Sequence, residues 1–527
     1  MATNYNLALA VYRHSLTTPD AVAVVSRGQS LTYGEIAARA ASLADGLRRS
    51  RAWQCRERSP LRVGILASRG IDACVALLAA CWAGAAYVPI GLKLPEERTL
   101  TLLSLCDLSA IIADEDGARL LTERLLDACP PIVIHASRTP LSARDDAVEV
   151  LSMASLPPVT VVEPTLMAAH ETAYIIFTSG TTGVPKGVVI SSGAARHYAA
   201  MIAERLGLRS SDRALETCEL GFDFSVHNMF STWEVGAALH ILPATTVMNA
   251  VKFARTSELT VWNSVPSLAG MLRQVNALKA GSLAGLRITV FGGEQLPEAT
   301  VTAWQSAAPN SVIVNLYGPT EATVFCLAQT IGQPLPVTPG RGVLAIGTPL
   351  PGSAAKVVDE DGVELADGTA GELAIAGVQL ADGYLGAADL TASRFPVIDG
   401  QRWYLSGDVA TRDAAGNFHC FGRIDNQVKV LGYRVELEEI DAHLRLVSHV
   451  DVVGSVAWPL VDGMARGIVC FVGVPTIDAD RLISDLKARL PAYMVPNRLI
   501  ALAEMPLNHS GKVDRRALHR LLDTDAA

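Results

Sequence analysis

The segment Tyr174-Ile175-Ile176-Phe177-Thr178-Ser179-Gly180-Thr181-Thr182-Gly183-Val184-Pro185-Lys186-Gly187 gathers the groups that bind phosphate. An apolar run leads into a loop with the hydroxyls of Thr178, Ser179, Thr181 and Thr182, the glycines Gly180 and Gly183, and the cation of Lys186. Glycine lets backbone amides approach an anion closely, hydroxyls donate hydrogen bonds to phosphate oxygens, and lysine adds positive charge. By composition this is a phosphate cradle, with a polar hairpin turn as the plain alternative. It departs from the Walker loop. Pro185 precedes the lysine, Gly187 takes the Ser/Thr position, and β-branched Val188-Val189-Ile190 favours a strand where that loop opens a helix.

Several elements must position such a loop. Glu35 three residues after Thr32 makes a capping box, and Ile36, Ala40, Leu43 and Leu47 follow at helical spacing. Apolar runs at 63–67, 110–113, 132–135, 174–177, 288–291 and 312–315 read as strands alternating with helical stretches. That alternation predicts an α/β fold with mixed sheets flanked by helices. Residues 73–92 carry no charge and are long enough to span a bilayer, but Gly84 and Pro89 interrupt them. A buried helix over 73–82 and a strand over 85–90 fit better, so no membrane is expected. The Pro-rich stretch 139–165 reads as a surface connector, and 435–446 as a helix.

A chain of 527 residues exceeds what one hydrophobic core supports, so at least two domains are expected. Half of the residues are hydrophobic and 18% charged, which excludes a largely disordered chain. A net charge of −9 argues against nucleic acid as partner. The nine cysteines form no Cys-x-x-Cys pair, and no basic segment precedes an apolar one at the N-terminus. Reduced thiols and a cytoplasmic protein are the expectation.

Motifs in a fixed order then resemble the adenylate-forming superfamily of acyl-CoA synthetases, luciferases and nonribosomal peptide synthetase adenylation domains. After the glycine loop come Phe222-Asp223-Phe224-Ser225, Phe291-Gly292-Gly293-Glu294 and Asn315-Leu316-Tyr317-Gly318-Pro319-Thr320-Glu321. Tyr404-Leu405-Ser406-Gly407-Asp408, Gly422-Arg423-Ile424-Asp425 and Asn508-His509-Ser510-Gly511-Lys512 complete the series. The resemblance implies a large N-terminal domain over 1–424 and a small mobile C-terminal α+β domain over 425–527, with a hinge at Asp425. It implies a ligase that joins a carboxylate to ATP as an acyl-adenylate, releases pyrophosphate, and passes the acyl group to a thiol. Lys512 would bridge carboxylate and α-phosphate, Lys186 and the glycine loop would hold phosphate, and Glu321 would bind Mg²⁺. Tyr317 would stack on adenine, with Gly293, Glu294, Asn315, Gly318 and Thr320 around the nucleotide. Asp408 would accept from the ribose hydroxyls with help from Arg423. Gly432 would line the path of the thiol.

Asp223 resembles the aspartate that family members acting on amino acids pair with the α-ammonium group; a helix cap is its plain alternative. The implied side-chain pocket maps to Phe224, His227, Asn263, Val290, Gly292, Leu316, Val324 and Phe325. None is charged, and three large apolar residues shorten it. A small neutral amino acid follows: threonine, alanine, 2-aminobutyrate or valine. The set is most similar to threonine pockets, with His227 where tryptophan is common. Segments at 291–297, 432–440 and 490–496 are also similar to D-alanine–carrier-protein ligases, and an acyl- or aryl-CoA ligase is the other alternative. No carrier attachment motif follows Lys512 and no condensation motif precedes the loop. The expected partner is therefore a phosphopantetheinylated carrier protein in trans, in natural-product or antibiotic biosynthesis.

Overall fold

The computed structural model describes residues 3–54, 61–137, 141, 148–179, 185–243, 248–461, 464–507 and 513–525. Gly180, Thr181, Thr182, Gly183 and Lys512 lie outside the described residues. The chain divides into two compact units. The first comprises Met1–Leu92, Leu103–Ile176 and Gly187–Gly422; the second comprises Lys93–Leu102, Phe177–Lys186 and Arg423–Ala527.

In the first unit, a nine-stranded sheet centres on parallel strands Val261–Ser264, Ile288–Gly292 and Val312–Tyr317. Their burial is nearly complete, as parallel strands covered on both faces require. A second sheet runs through Ala86–Pro89, Arg62–Leu66, Ala110–Ala113 and Ile132–His135. A third, antiparallel sheet contains Ser353–Val358, Gly371–Gly377 and Gln401–Arg412. The capping box forms as expected: the Thr32 hydroxyl accepts from the Glu35 amide at 3.2 Å and Glu35 accepts from the Thr32 amide at 2.8 Å. Ile36, Ala40, Leu43 and Leu47 form the buried stripe of helix Tyr33–Arg49. The uncharged stretch becomes helix Ile71–Trp82 and strand Ala86–Pro89. Among the described residues no helix is long and apolar enough to cross a membrane.

The second unit holds strands Gln427–Val430 and Tyr433–Glu436, helices Leu437–Ser448, Ala479–Lys487 and Arg515–Asp525, and a three-stranded sheet through Ile468–Val472. The predicted helix over 435–446 starts later than expected. Val435 pairs with Val428 in a hairpin that turns at Leu431 and Gly432, both at positive φ, and the helix begins only at Leu437. The 3.6-residue pattern of that helix therefore extended too far back. The expected connector contains strand Glu149–Ser152, which completes a sheet edge beside Ile132–His135. The eight described cysteines are free thiols.

Candidate active site

Asp223 follows strand Arg213–Glu216 and heads helix Phe224–Glu234. Its side chain makes no capping bond, so the helix-cap alternative is not realised. The carboxylate is buried at 8% exposure, and its charge is felt by the buried phenols of Tyr87, Tyr174 and Tyr198. Burial foremost, with that anion adding to it, pushes all three phenols well above their usual range. The hydroxyls of Tyr87 and Tyr174 have no partner among the described residues. A carboxylate in so dry a setting favours a cation beside it.

The pocket residues assemble from three sources. Strand register sets Asn263 beside Val290 and Gly292 beside Leu316, and the two-residue period puts Val290 and Gly292 on one face. The helix headed by Asp223 brings Phe224 and His227. The segment after Glu321 brings Val324 and Phe325. The rings of Phe224, His227 and Phe325 meet edge to face, with centroids 5.0 to 5.6 Å apart. A Cβ at Gly292 would lie 2.5 Å from the Phe325 ring, so only glycine admits that ring here.

His227 exchanges a 2.7 Å hydrogen bond with the Tyr198 hydroxyl through Nδ1. Its Nε2, like Asn263 Oδ1, is buried with no partner among the described residues. Burial lowers the His227 pKa to about 3, so the ring is neutral in the folded protein. An unfolded histidine takes up a proton near pH 6.5. The unfolded state therefore binds more protons between about 6.5 and 3, and stability is full above that window and lost as pH falls through it. The limiting slope is about 1.4 kcal/mol per pH unit. His227→Gln is expected to flatten the fall of the urea unfolding midpoint between pH 7 and 5. An unchanged slope would contradict the assignment.

In the same unit, the Tyr317 hydroxyl donates to Asp408 Oδ2, joining the residues expected at adenine and ribose. Burial, reinforced by Asp408, raises the Tyr317 phenol well above its ordinary value. Asn315 donates to Ala345 O at 2.9 Å, and Glu294 accepts from the Ser267 amide at 2.8 Å, so both side chains hold neighbouring backbone. Gly293 has φ +84°. Gly318 is required by close approach: its Cβ would lie 2.4 Å from Val324 O. Thr320 opens the short 3₁₀ helix Thr320–Ala322, which carries Glu321 at 1% exposure. Glu321 Oε1 accepts from the Tyr384 hydroxyl at 2.8 Å. Nothing in the spacing of Tyr198 and Tyr384 marks either in the sequence; only their contacts identify them.

In the second unit, Ser179 Oγ donates to Arg434 O at 2.9 Å and accepts from the Glu436 amide at 3.2 Å. Lys186 Nζ lies 3.6 Å from Glu436 Oε1. Thr178 Oγ1 has no partner among the described residues. Arg423 forks onto both oxygens of Asp425 at 2.7 and 2.8 Å. Gly432, at φ +88°, closes the hairpin turn.

A mixed-sheet architecture carries the motifs in one order, and the family described as AMP-binding enzyme matches residues 11–385. The chain belongs to the AMP-binding enzyme family. It is an AMP-forming ligase of the adenylation-domain type, and such enzymes use ATP. Delta-poly-L-ornithine synthetase of Acinetobacter baumannii is 32% identical over 532 residues, covering 96% of this chain and 36% of that protein. This AMP-binding chain thus spans about a third of that relative's length. The Vibrio cholerae adenylation domain AlmE, solved with glycyl-adenosine-5'-phosphate, is 29% identical with a TM-score of 0.86, covering 99% of each chain. Holo-PA1221, an NRPS protein containing adenylation and PCP domains, shares the fold at 24% identity and a TM-score of 0.79, covering 98% of this chain and 84% of that one.

Proposed function

We propose that this ligase activates a small neutral amino acid and transfers it to the phosphopantetheine thiol of a carrier protein. The observation that carries the reading is Asp223, a buried carboxylate at the head of the helix whose Phe224 ring meets Phe325 edge to face. A zwitterion supplies the cation such a site favours, and an uncharged wall favours an uncharged side chain. The glycyl-adenylate bound by AlmE agrees with a small substrate. Within the small set, Asn263 Oδ1 and His227 Nε2, which have no partner among the described residues, favour a hydroxyl-bearing side chain, threonine first.

The substrate carboxylate oxygen bonds to the α-phosphorus, and the bond to the β-phosphate oxygen breaks, releasing pyrophosphate. A thiol then bonds to the acyl carbon and AMP leaves. Lys512 neutralises the two anions that meet in the first step. Lys186, Thr178, Ser179 and the glycine loop hold the phosphates; Tyr317 stacks on adenine; Asp408 accepts from the ribose hydroxyls and Arg423 donates to the ribose oxygens. Glu321 would hold Mg²⁺: it is a buried carboxylate oriented by Tyr384, the oxygen donor such a hard cation takes. Bound there, Mg²⁺ would supply charge neutralisation at the phosphates. Asp425 serves as the hinge and Gly432 lines the thiol path.

Pyrophosphate exchange across the proteinogenic amino acids, D-alanine and 2-aminobutyrate tests the reading, with coenzyme A and a carrier protein supplied separately as acceptors. Exchange is expected with glycine-to-valine sized substrates, strongest with threonine, and loading on the carrier alone. Strongest exchange with aryl or fatty acids, or loading of coenzyme A, would overturn it.

A further inference from the structure

Thr323 and Val324 both occupy the left-handed region, at φ +52° and +69°. Both are β-branched, for which that conformation is an outlier that surrounding structure must enforce. The segment is wedged. On one side Gly292 admits the Phe325 ring; on the other Gly318 admits the backbone of Val324 and Phe325, where a Cβ would lie 2.4 and 2.5 Å from Val324 O and Phe325 Cα.

A third contact locks it. Gln379, 1% exposed, sits just past strand Gly371–Gly377. Its Nε2 donates toward the carbonyls of Ala322, Thr323 and Phe325 at 3.3, 3.4 and 2.9 Å. Three acceptors face that atom, so it must be the amide nitrogen and not the oxygen. Oε1 accepts from Ser353 at 3.2 Å, and the Thr323 hydroxyl donates to Gln379 O at 2.5 Å. The same connection reaches Glu321, through the Ala381 amide at 2.9 Å and the Tyr384 hydroxyl.

We propose that Gln379 is a positioning residue that sets the depth of the amino-acid pocket by holding Thr323 and Val324 in the left-handed backbone that lays Phe325 over Gly292. This rests on the reading of that pocket as the amino-acid site. Gln379 touches no reacting atom; it decides selectivity through Phe325.

The test compares Gln379→Leu and Gln379→Glu with Phe325→Ala in pyrophosphate exchange. Glutamate keeps the shape but turns a donor into an acceptor facing three carbonyls. Both Gln379 variants are expected to raise KM for the preferred small amino acid about tenfold and to shift preference toward leucine and phenylalanine, as Phe325→Ala does. KM for ATP should stay within about twofold. Unchanged preference, or a parallel change in both KM values, overturns the proposal. A second readout needs no substrate. 4-Fluorophenylalanine at position 325 should give one sharp fluorine resonance in the native protein and a shifted or broadened one in Gln379→Leu; an unchanged resonance overturns the proposal. Failure of the underlying site reading shows differently, as native protein without amino-acid-dependent exchange.

Discussion

Asp223→Ala is expected to lower kcat/KM for the amino acid by roughly 10²–10⁴, the effect of stranding one partner of a desolvated ion pair at about 3–5 kcal/mol. On the proposed reading the reason is electrostatic: the carboxylate is buried and its charge reaches the buried phenols of Tyr87 and Tyr174, so a substrate ammonium brought there without an anion would lose its hydration for nothing in return. Asp223→Asn keeps the shape and removes only the charge, so it should lose nearly as much. Both variants should narrow the gap between alanine and propionate, which lacks the ammonium group. KM for ATP should hold. Exchange kinetics with the two acids decide it: a variant that still prefers alanine over propionate by the native ratio would remove Asp223 from substrate recognition.

Lys512→Ala should reduce adenylate formation by roughly 10²–10³, the usual loss when a charge-stabilising donor is removed from a transition state. The first step drives a carboxylate onto a phosphate, so negative charge accumulates in one place, and a cation there acts most strongly with water excluded. The proposed second step would form a thioester from an adenylate already made and would need no such cation. Thioester formation from synthetic aminoacyl-AMP should therefore remain within a few-fold of native, whereas pyrophosphate exchange collapses. Lys512→Arg should rescue little, because a planar guanidinium does not replace a compact ammonium between two anions. Equal loss in both half-reactions would show that Lys512 acts on folding or on both steps alike.

Local signals were legible wherever a short stretch decides its own structure. Thr32 and Glu35 close a capping box within one turn. The β-branched runs at 110–113 and 132–135 form buried strands over those residues. Val188-Val189-Ile190 lies in strand Lys186–Ser191, as its composition favoured over a helix. Legibility failed where a distant partner decides. Val435 fits a helical stripe, yet it pairs across a hairpin with Val428. Glu149–Ser152 looks like connector until strand Ile132–His135 supplies its hydrogen bonds.

The sequence by itself determined the class of chemistry, because loop composition and the order of motifs are properties of the chain: hydroxyls, glycines and a lysine for phosphate, and the AMP-binding family. Only the tertiary structure decided which distant side chains meet. Phe325 lies over Gly292, Tyr198 meets His227, Tyr384 orients Glu321 and Gln379 grips three carbonyls 54 to 57 residues away. Buried polar atoms must find partners wherever the fold brings them, and no local pattern records which distant atom that will be.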